Sequence, residues 1–311
     1  MRILVTGGAG FQGGHLTRAW AAAGHDLTVL NTYSAAAAAA AATFPSDVTT
    51  VWGSVTDPEI VRKTVREQDA VVHLAAQINV DESNEAPGAF VAANVMGTFN
   101  VLEAVRETGA RMIYASSCEV YGFGQSEPLT ESSELRPHSP YAASKAAADR
   151  LAFAYHKTYG IDVTIVRPCN IYGEGQRSGK GGAVIPIFVG RGLAGQPLIV
   201  FGDGSQSREF MNVEDIVTAY DLVLGRDDLA GETINFGTGE SVTIRKIAEL
   251  VSQRLDATIV EGPFRPGEVQ GFTLNSSKAR TLGFSPNIKF ADGLDRYIGW
   301  RLGQVPANTG G

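Results

Sequence analysis

Tyr141 and Lys145 are the first residues in this sequence whose types and spacing could do chemistry together. They are four residues apart in the segment Tyr-Ala-Ala-Ser-Lys, so a helix places both side chains on one face, one turn apart. An ammonium group beside a phenol stabilises the phenolate and lowers the pKa of the phenol. We therefore predict that Tyr141 is a general base for a substrate hydroxyl and that Lys145 supports it.

A glycine-rich turn at residues 6–13 is the second chemical signal. It follows a short apolar run and precedes a segment of helical composition, which is the context in which such a turn binds a dinucleotide. Glycines allow the backbone to approach a pyrophosphate closely, and the free N–H groups of the helix N-terminus bind the anion. The cofactor-binding residues predicted in this turn are Gly7, Gly10, Phe11, Gln12 and Gly13.

The end of the second predicted strand should face the adenosine ribose of such a cofactor. Asn31 stands there in place of a carboxylate, and an amide binds a hydroxyl more weakly and repels a 2′-phosphate less. We predict NAD rather than NADP as the cofactor. The eight alanines at 35–42 could begin a helix or could stand in for other residues, so no function is assigned to them.

Composition excludes several other classes of protein. A chain of 311 residues that is 44% hydrophobic and 19% charged is typical of a folded α/β protein with one or two domains. A net charge of −7 argues against nucleic acid as a partner. The two cysteines, Cys118 and Cys169, lack metal or disulfide spacing, and we expect neither a signal peptide nor a membrane span. A cytoplasmic protein without membrane contact is predicted.

Short apolar runs alternate with helical segments through the first half of the chain, which predicts a Rossmann-type, doubly wound parallel sheet. The predicted strands are Arg2–Thr6, Asp26–Leu30, Thr49–Trp52, Ala70–Leu74, Arg111–Ala115 and Val163–Val166. The predicted helices are His15–Ala23, Pro58–Glu67, Val91–Thr108 and Tyr141–Tyr159.

Loops and prolines become frequent after Arg167, which predicts a smaller and more irregular α/β domain that binds substrate. The segments Phe210–Leu224 and Thr233–Phe236 are predicted to return to the first domain as a strand, a helix and a further strand. The predicted division is residues 1–168 with about 210–238 for the cofactor domain, about 169–209 and 239–305 for the substrate domain, and 306–311 for a flexible tail.

Eight motifs spread over nearly the whole chain resemble those of the extended short-chain dehydrogenase/reductases that act on nucleotide sugars. They are TGGAGFQG at 6–13, HLAA at 73–76, Asn94-Val95 with Gly97-Thr98, SSCEVYG at 116–122, SPYAASK at 139–145, RPCNIYG at 167–173, SREF at 207–210 and RPGE at 265–268. The resemblance implies a homodimer formed through the helices near Val91–Thr108 and Tyr141–Tyr159.

The resemblance also implies residue roles. Tyr141 takes a proton from the sugar C4 hydroxyl while NAD⁺ accepts a hydride from C4, Lys145 holds the nicotinamide ribose, and Ser117 hydrogen-bonds the C4 oxygen. Further cofactor contacts are assigned to Ser54, Val55, Leu74, Ala75, Ala76, Asn94, Ser116 and Pro168. Contacts to the nucleotide sugar, with UDP or dTDP favoured, are assigned to Gln77, Asn79, Asn170, Arg208, Arg265 and Glu268.

Cys118 and Glu119 distinguish the reactions found in this family. A C4 ketone makes the C5 hydrogen acidic, so a carboxylate at position 119 can remove it, which indicates a dehydratase. Cys118 departs from the usual aspartate, and a thiol is a weak acid for expelling a hydroxyl, so a packing role stays open. The strings CEVYG and SPYAASK are similar to those of UDP-GlcNAc 5,6-dehydratases of the tunicamycin pathway, so both 5,6- and 4,6-dehydration are considered.

Three alternatives remain open. A 4-epimerase would use Glu119 only as a sugar contact, a UDP-glucuronate decarboxylase usually carries a different segment from SPYAASK, and a cofactor-sensing protein would lack turnover. The histidines show no metal-binding spacing, and His73 is predicted to be buried and structural. No metal site is predicted.

Overall fold

The computed structural model describes residues 1–123, 125, 128–176, 183–264 and 271–304. The strands in these ranges are β1 (Arg2–Thr6), β2 (Asp26–Asn31), β3 (Thr49–Trp52), β4 (Ala70–His73), β5 (Arg111–Ala115), β6 (Val163–Pro168), β7 (Asn170–Tyr172), β8 (Leu198–Phe201), β9 (Ser207–Asn212), β10 (Thr233–Phe236), β11 (Ser241–Thr243) and β12 (Ile259–Gly262).

The α-helices of the same ranges surround these strands. They are α1 (Phe11–Ala22), α2 (Ala35–Ala41), α3 (Pro58–Val65), α4 (Val80–Glu85), α5 (Pro87–Phe90), α6 (Gly97–Thr108), α7 (Pro140–Tyr159), α8 (Val184–Leu193), α9 (Val213–Leu224), α10 (Ile244–Leu255), α11 (Ser277–Thr281) and α12 (Phe290–Gln304). A π-helical segment, Val91–Met96, joins α5 to α6, and a 3-10 turn, Cys118–Tyr121, follows β5.

The main sheet is parallel and has the strand order β10-β6-β5-β4-β1-β2-β3. This confirms the predicted doubly wound sheet, because the order reverses between β1 and β4, where open sheets of this type bind ligands beyond the carboxyl ends of their strands. All residues of β5 and β6 are buried, as expected for strands covered on both faces. One apolar core includes residues of α1 and α9, and a second includes residues of α3, α6 and α7.

Some element boundaries differ from the prediction. The first helix begins at Phe11 rather than His15, because the glycine turn leads directly into it. The predicted helix Val91–Thr108 starts with π-helical geometry. The alanine tract forms α2, whose first turn is capped by Ser34, with the Ser34 hydroxyl accepting a hydrogen bond from the Ala37 N–H at 3.0 Å.

The rest of the described chain forms a smaller α/β unit. Strands β7, β9 and β11 make one sheet, β8 pairs with β12, and α8 packs on α10 over a separate apolar core. Strand β9 therefore pairs in the small sheet, whereas β10 joins the main sheet beside β6. The chain enters the smaller unit after β6, returns to the main unit with α9 and β10, and enters the smaller unit again at β11, so the cleft is lined by residues far apart in sequence.

One helical stretch is long and apolar enough to cross a membrane, although the sequence analysis expected no membrane span. This stretch, Pro87–Thr108, has 22 residues and meets the requirement by length and composition only. Buried core helices pass the same test, and 44% of its most apolar window is buried inside the protein. Its α6 part packs against α3 and α7, which is the arrangement of a core helix.

Candidate active site

The glycine turn between β1 and α1 forms one end of a cleft of about 1790 Å³. Gly7 has a φ of +73°, and a Cβ there would lie 2.9 Å from the Ala75 nitrogen. A Cβ on Gly13 would lie 2.3 Å from the Gly7 carbonyl oxygen. Helix α1 has no side-chain cap at Gly10, so its first N–H groups are available to an anion. These features fit the pyrophosphate of a dinucleotide, and Gly10, Phe11 and Gln12 line the cleft.

The adenosine end of the predicted cofactor site lies where β2 ends. Asn31 lines the cleft, accepts a hydrogen bond from the Ala9 N–H at 3.2 Å and donates one to the Thr32 carbonyl at 2.9 Å. The Ser54 hydroxyl is hydrogen-bonded to that of Thr56 at 2.7 Å, and Val55 is buried. Neither Ser54 nor Val55 belongs to the cleft lining.

Arg18 also lines this end of the cleft, and the sequence analysis missed it. Its Nη1 donates to the Thr43 hydroxyl at 3.4 Å, burial lowers the pKa of Arg18, and it makes no ion pair within the described ranges. Its position on α1, shortly after the glycine turn, was the signal that could have identified it.

A group of predicted cofactor residues stands behind the glycine turn rather than along the cleft. The Ala75 N–H donates to the Thr6 hydroxyl at 3.2 Å, which holds the end of β4 against the turn. Asn94, in the π-helical segment, bonds both the N–H and the carbonyl of Gln77, at 2.7 and 2.9 Å, and the Ser144 hydroxyl at 2.8 Å. Besides Ser54 and Val55, the predicted site residues of the described ranges that are absent from the cleft lining are Gly7, Gly13, Leu74, Ala75, Ala76, Gln77, Asn94 and Lys145.

The predicted catalytic residues converge beyond the end of β5. Ser116, Ser117, Cys118, Glu119 and Tyr141 all line the cleft. The Ser117 hydroxyl accepts a hydrogen bond from the Glu119 N–H at 3.2 Å and caps the 3-10 turn. A side-chain hydrogen bond links Ser117 to Tyr141. The strand end and the start of α7 therefore bring the serine and the tyrosine together.

Lys145 is buried one turn after Tyr141 and does not lower the pKa of the phenol as the sequence analysis expected. Burial raises the pKa of Tyr141, and the hydrogen bond from Ser117 opposes this only in part. The Lys145 Nζ donates to the Ala115 carbonyl at 2.5 Å and lies 4.7 Å from the centroid of the Tyr114 ring. Burial lowers the pKa of Lys145 to about 7. The ammonium group is therefore occupied by the strand rather than by the phenol.

Cys118 and Glu119 differ in what they can contribute. Burial raises the pKa of the Glu119 carboxyl, while the positive charge of Arg208 lowers it. Cys118 is only 2% exposed, and burial raises the pKa of its thiol well above the ordinary value. Glu119 is thus a carboxyl group with a raised pKa that lines the cleft, whereas the Cys118 thiol is packed in the core and is a poor proton donor.

The other end of the cleft carries the predicted substrate contacts. Asn79, Asn170 and Arg208 line it, and the Asn170 Nδ2 donates to the Glu209 carbonyl at 3.1 Å. Pro168 lines the cleft between the two ends. Arg265 and Glu268 lie outside the described residues. The sequence analysis missed an apolar wall from the smaller unit, formed by Ile185, Phe188, Ile199, Phe201 and Trp300.

The histidines have structural partners. His73 is 1% exposed and is hydrogen-bonded to the Thr6 and Thr98 hydroxyls at 2.7 and 3.0 Å, as predicted for a buried structural residue. His15 bonds the Glu174 carbonyl at 2.8 Å, and the His138 ring stacks on Phe123. Within the described part of the chain, no group of His, Cys, Asp and Glu could hold a metal ion.

Known proteins are similar to this chain in both sequence and fold. The NAD dependent epimerase/dehydratase family matches residues 3–237. A dTDP-glucose 4,6-dehydratase from Streptomyces niveus is 39% identical over 96% of this chain and 92% of its own length. A crystal structure of a dTDP-glucose 4,6-dehydratase from Streptomyces venezuelae, with NAD and TYD bound, has a TM-score of 0.89 and 37% identity, and the alignment covers 97% of each chain. The UDP-glucose 4-epimerase of Thermotoga maritima, with UDP-glucose, has a TM-score of 0.92 and 28% identity over 98% of this chain and 99% of that one.

Proposed function

Because this chain belongs to the NAD-dependent epimerase/dehydratase family, we propose that it is a nucleotide-sugar dehydratase acting on a dTDP- or UDP-linked hexose. The observation that carries the proposal is the Glu119 carboxyl, which shares the cleft with Ser117 and Tyr141 and has a raised pKa. Oxidation at C4 alone needs no such group, but removal of the C5 proton does. The similarity to dTDP-glucose 4,6-dehydratases supports the same reaction.

The cofactor assigned to this cleft is NAD. The backbone around Gly7, Gly10 and Gly13 would hold its pyrophosphate, Asn31 its adenosine ribose, and Tyr141 with Lys145 its nicotinamide ribose. When bound, NAD⁺ supplies a hydride acceptor for the sugar C4 carbon.

The first proton transfer is assigned to Tyr141. Its phenol oxygen takes the proton of the C4 hydroxyl, and the Ser117 hydroxyl donates a hydrogen bond to the same sugar oxygen. A Lys145 ammonium one helical turn away would favour the ionised form of a phenol, although in the free protein it does not offset the effect of burial on the pKa of Tyr141. Because burial raises the pKa of Tyr141, the phenol depends on these partners to lose its proton.

The second proton transfer is assigned to Glu119. Its carboxylate removes the C5 proton, which a C4 ketone makes acidic, and the same carboxyl then holds the proton that the C6 hydroxyl needs to leave as water. This assignment gives Cys118 a packing role, because its thiol is buried and its pKa is raised. A hydride returned to C6 with a proton added at C5 by Glu119 would give a 4-keto-6-deoxy sugar. A hydride returned to C4 with a proton given to the C4 oxygen by Tyr141 would give a 5,6-ene.

A 4-epimerase is the second candidate. The UDP-glucose 4-epimerase of Thermotoga maritima has the same fold. Ser117 and Tyr141 line the cleft of this chain, and reversible oxidation at C4 needs no further acid or base. In that reaction the 4-keto sugar rotates in the cleft between two hydride transfers, and Glu119 is only a polar contact to the sugar. The two candidates differ in whether water is lost and whether the C5 proton exchanges.

We also propose the predicted two-domain division and a cytoplasmic homodimer. Exposed apolar side chains at the two ends of the π-helical segment, Val91 at 50% and Met96 at 49% exposure, support a helix-mediated dimer. A sedimentation mass of one chain would contradict the dimer.

The residues assigned to the nucleotide sugar are Asn79, Asn170 and Arg208, together with Arg265 and Glu268.

The proposed function is tested by incubating the protein with UDP-, dTDP-, GDP- and CDP-hexoses in deuterium oxide and analysing the products by mass spectrometry and NMR. A dehydratase loses water and exchanges the C5 hydrogen, whereas isomerisation without either result establishes the 4-epimerase. The variant Glu119→Gln should abolish C5 exchange. Its matched control is Glu174→Gln, which removes another cleft-lining carboxylate and should leave exchange intact.

A further inference from the structure

A second carboxylate, Asp149, is buried directly behind the proposed catalytic residues. Tyr141, Lys145 and Asp149 follow one another at intervals of four on α7, so they share one face of the helix. Asp149 is 0% exposed and does not line the cleft. It therefore touches neither substrate nor cofactor, and its burial needs another explanation, because a buried charge is costly unless it is paired.

The Asp149 carboxylate joins three elements of the fold. It accepts a hydrogen bond from the Ser116 hydroxyl at 2.6 Å, and Ser116 immediately precedes the proposed catalytic Ser117. It also accepts hydrogen bonds from the Arg167 Nε at 2.8 Å and Nη2 at 2.9 Å. A second, partly exposed arginine, Arg150, donates its Nε to the same carboxylate at 3.0 Å and its Nη2 as well, and this ion pair stays in place when Arg167 is replaced. The carboxylate thus fixes the end of β5 to α7 and to β6.

Arg167 anchors this pair from the opposite side. It is 1% exposed, its Nη1 donates to the Tyr121 hydroxyl at 2.9 Å, and its guanidinium lies 4.9 Å from the centroid of the Tyr121 ring. The Tyr121 hydroxyl in turn donates to the Asn235 Oδ1 at 2.6 Å. The ion pair is therefore bonded to several elements of the fold, and its acidic member, Asp149, lies one helical turn after Lys145 on α7.

Among these groups, Asp149 is the charge that acts on the pKa of Lys145 itself. The titratable and charged groups that face Lys145 or the residues around it come from four elements and one turn. They are His73 from β4, Tyr114 from β5, Tyr141, Asp149 and Arg150 from α7, Arg167 from β6, and Cys118 and Glu119 from the 3-10 turn. Burial lowers the pKa of Lys145 to about 7, and the negative charge of Asp149 raises it. Near neutral pH, Lys145 is thus poised between its charged and neutral forms.

We propose that Asp149 is a positioning residue of the active site, which keeps Lys145 as an ammonium ion and fixes the Ser116–Ser117 turn, while Arg167 limits this effect by sharing the same carboxylate. The assignment rests on the proposed roles of Tyr141 and Lys145 in the reaction. The effect of Asp149 on the charge of Lys145 concerns only the protonation of Lys145. It can therefore be measured even if the protein converts no substrate.

The test compares two variants that break the same ion pair but leave opposite charges. Asp149→Asn keeps the shape of the side chain and leaves Arg167 positive, whereas Arg167→Met leaves Asp149 negative. The protein contains seven lysines, so NMR of lysine labelled at Cε and Nζ can follow Lys145, with its signal assigned through Lys145→Met. The titration is recorded on the full chain with and without NAD⁺.

We expect the midpoint of the Lys145 titration to move down by about 1–3 pH units in Asp149→Asn and to move up in Arg167→Met. The alkaline limb of the pH profile of kcat should move in the same two directions, because activity requires the ammonium form. A merely structural ion pair would leave the midpoint unchanged or shift it in the same direction in both variants, and either result would overturn the proposal.

Two further measurements keep the result interpretable. If a single variant does not fold, the double variant Asp149→Asn/Arg167→Met removes both buried charges. Its Lys145 midpoint should lie below that of the wild type, because the lost Asp149 charge is the one that raises the pKa of Lys145. An unchanged midpoint there overturns the proposal. Absence of turnover with every sugar would refute the proposed function, but the NMR result would still decide the electrostatic role of Asp149.

Discussion

The Asn31 side chain accepts a hydrogen bond from the Ala9 N–H at 3.2 Å, so the end of β2 is tied directly to the glycine turn. A carboxylate at this position would bind the ribose 2′-hydroxyl more strongly and would repel a 2′-phosphate. We expect Asn31→Asp to raise the ratio of the Kd for NADP⁺ to the Kd for NAD⁺ at least about tenfold, or ~1.4 kcal/mol. Isothermal titration calorimetry of the two dinucleotides measures this ratio.

Arg18 supplies a second test of cofactor selectivity, because it lines the same cleft. Its guanidinium makes no ion pair within the described ranges, so Arg18→Met should weaken binding of NADP⁺ more than binding of NAD⁺. A ratio that does not change in either variant would show that this end of the cleft does not recognise the adenosine ribose.

Gly13 is predicted to be intolerant of any side chain, because a Cβ there would lie 2.3 Å from the Gly7 carbonyl oxygen. Gly13→Ala must displace backbone at the pyrophosphate site, so we expect loss of NAD⁺ binding and destabilisation by about 1–3 kcal/mol. Gly299→Ala is the control, because a Cβ there meets nothing within 4 Å, and alanine stabilises a helix interior by roughly 0.5–1 kcal/mol. Fluorescence titration and urea unfolding measure the two effects, and normal NAD⁺ affinity in Gly13→Ala would contradict the assigned site.

Arg208 should control the acid side of the pH profile. Its charge lowers the pKa of Glu119 against the effect of burial, and Glu119 must be ionised to remove the C5 proton. Arg208→Met therefore raises the pKa of Glu119, and the acid limb of kcat moves to higher pH by about one unit. The pH dependence of kcat at saturating substrate measures this shift separately from weaker binding.

Arg191→Met serves as the comparison, since Arg191 lines the same cleft and donates its Nε to the Pro197 carbonyl. We expect the acid limb of this variant to match that of the wild type. Equal shifts in both variants would show that the net charge of the cleft, rather than Arg208 itself, acts on Glu119.

His73 is expected to destabilise the protein in acid. Burial lowers its pKa to about 3, so between that value and about 6.5 the unfolded chain binds a proton that the folded protein does not. The free energy of unfolding then falls with decreasing pH by up to ~1.4 kcal/mol per unit over this window. His73→Gln, whose amide can bond the hydroxyls of Thr6 and Thr98, should reduce this slope in urea unfolding between pH 7 and 4.

His25→Gln provides the comparison, because His25 is a partly exposed histidine between α1 and β2. Comparing the two variants separates the loss of a buried histidine from the loss of any histidine. An unchanged slope in His73→Gln would show that other groups cause the acid destabilisation.

The sequence by itself determined the features that depend on local spacing. Alternating apolar runs and helical segments identified the parallel sheet, and the glycine-rich segment at 6–13 does join β1 to α1, although its last three residues already belong to α1. The interval of four between Tyr141 and Lys145 put both on α7. Such features follow from the chain geometry of strands, turns and helices, so they are readable without knowledge of distant contacts.

Tertiary structure alone decided how these groups behave. Whether Tyr141 loses a proton easily depends on its burial and on the direction of the Lys145 ammonium, which the Ala115 carbonyl of another element fixes. The bond between Ser116 and Asp149 joins residues 33 positions apart, and that between Arg167 and Asp149 joins residues 18 apart. Burial and charge–charge distance are set by the packing of β5, β6 and α7, and no local pattern encodes them.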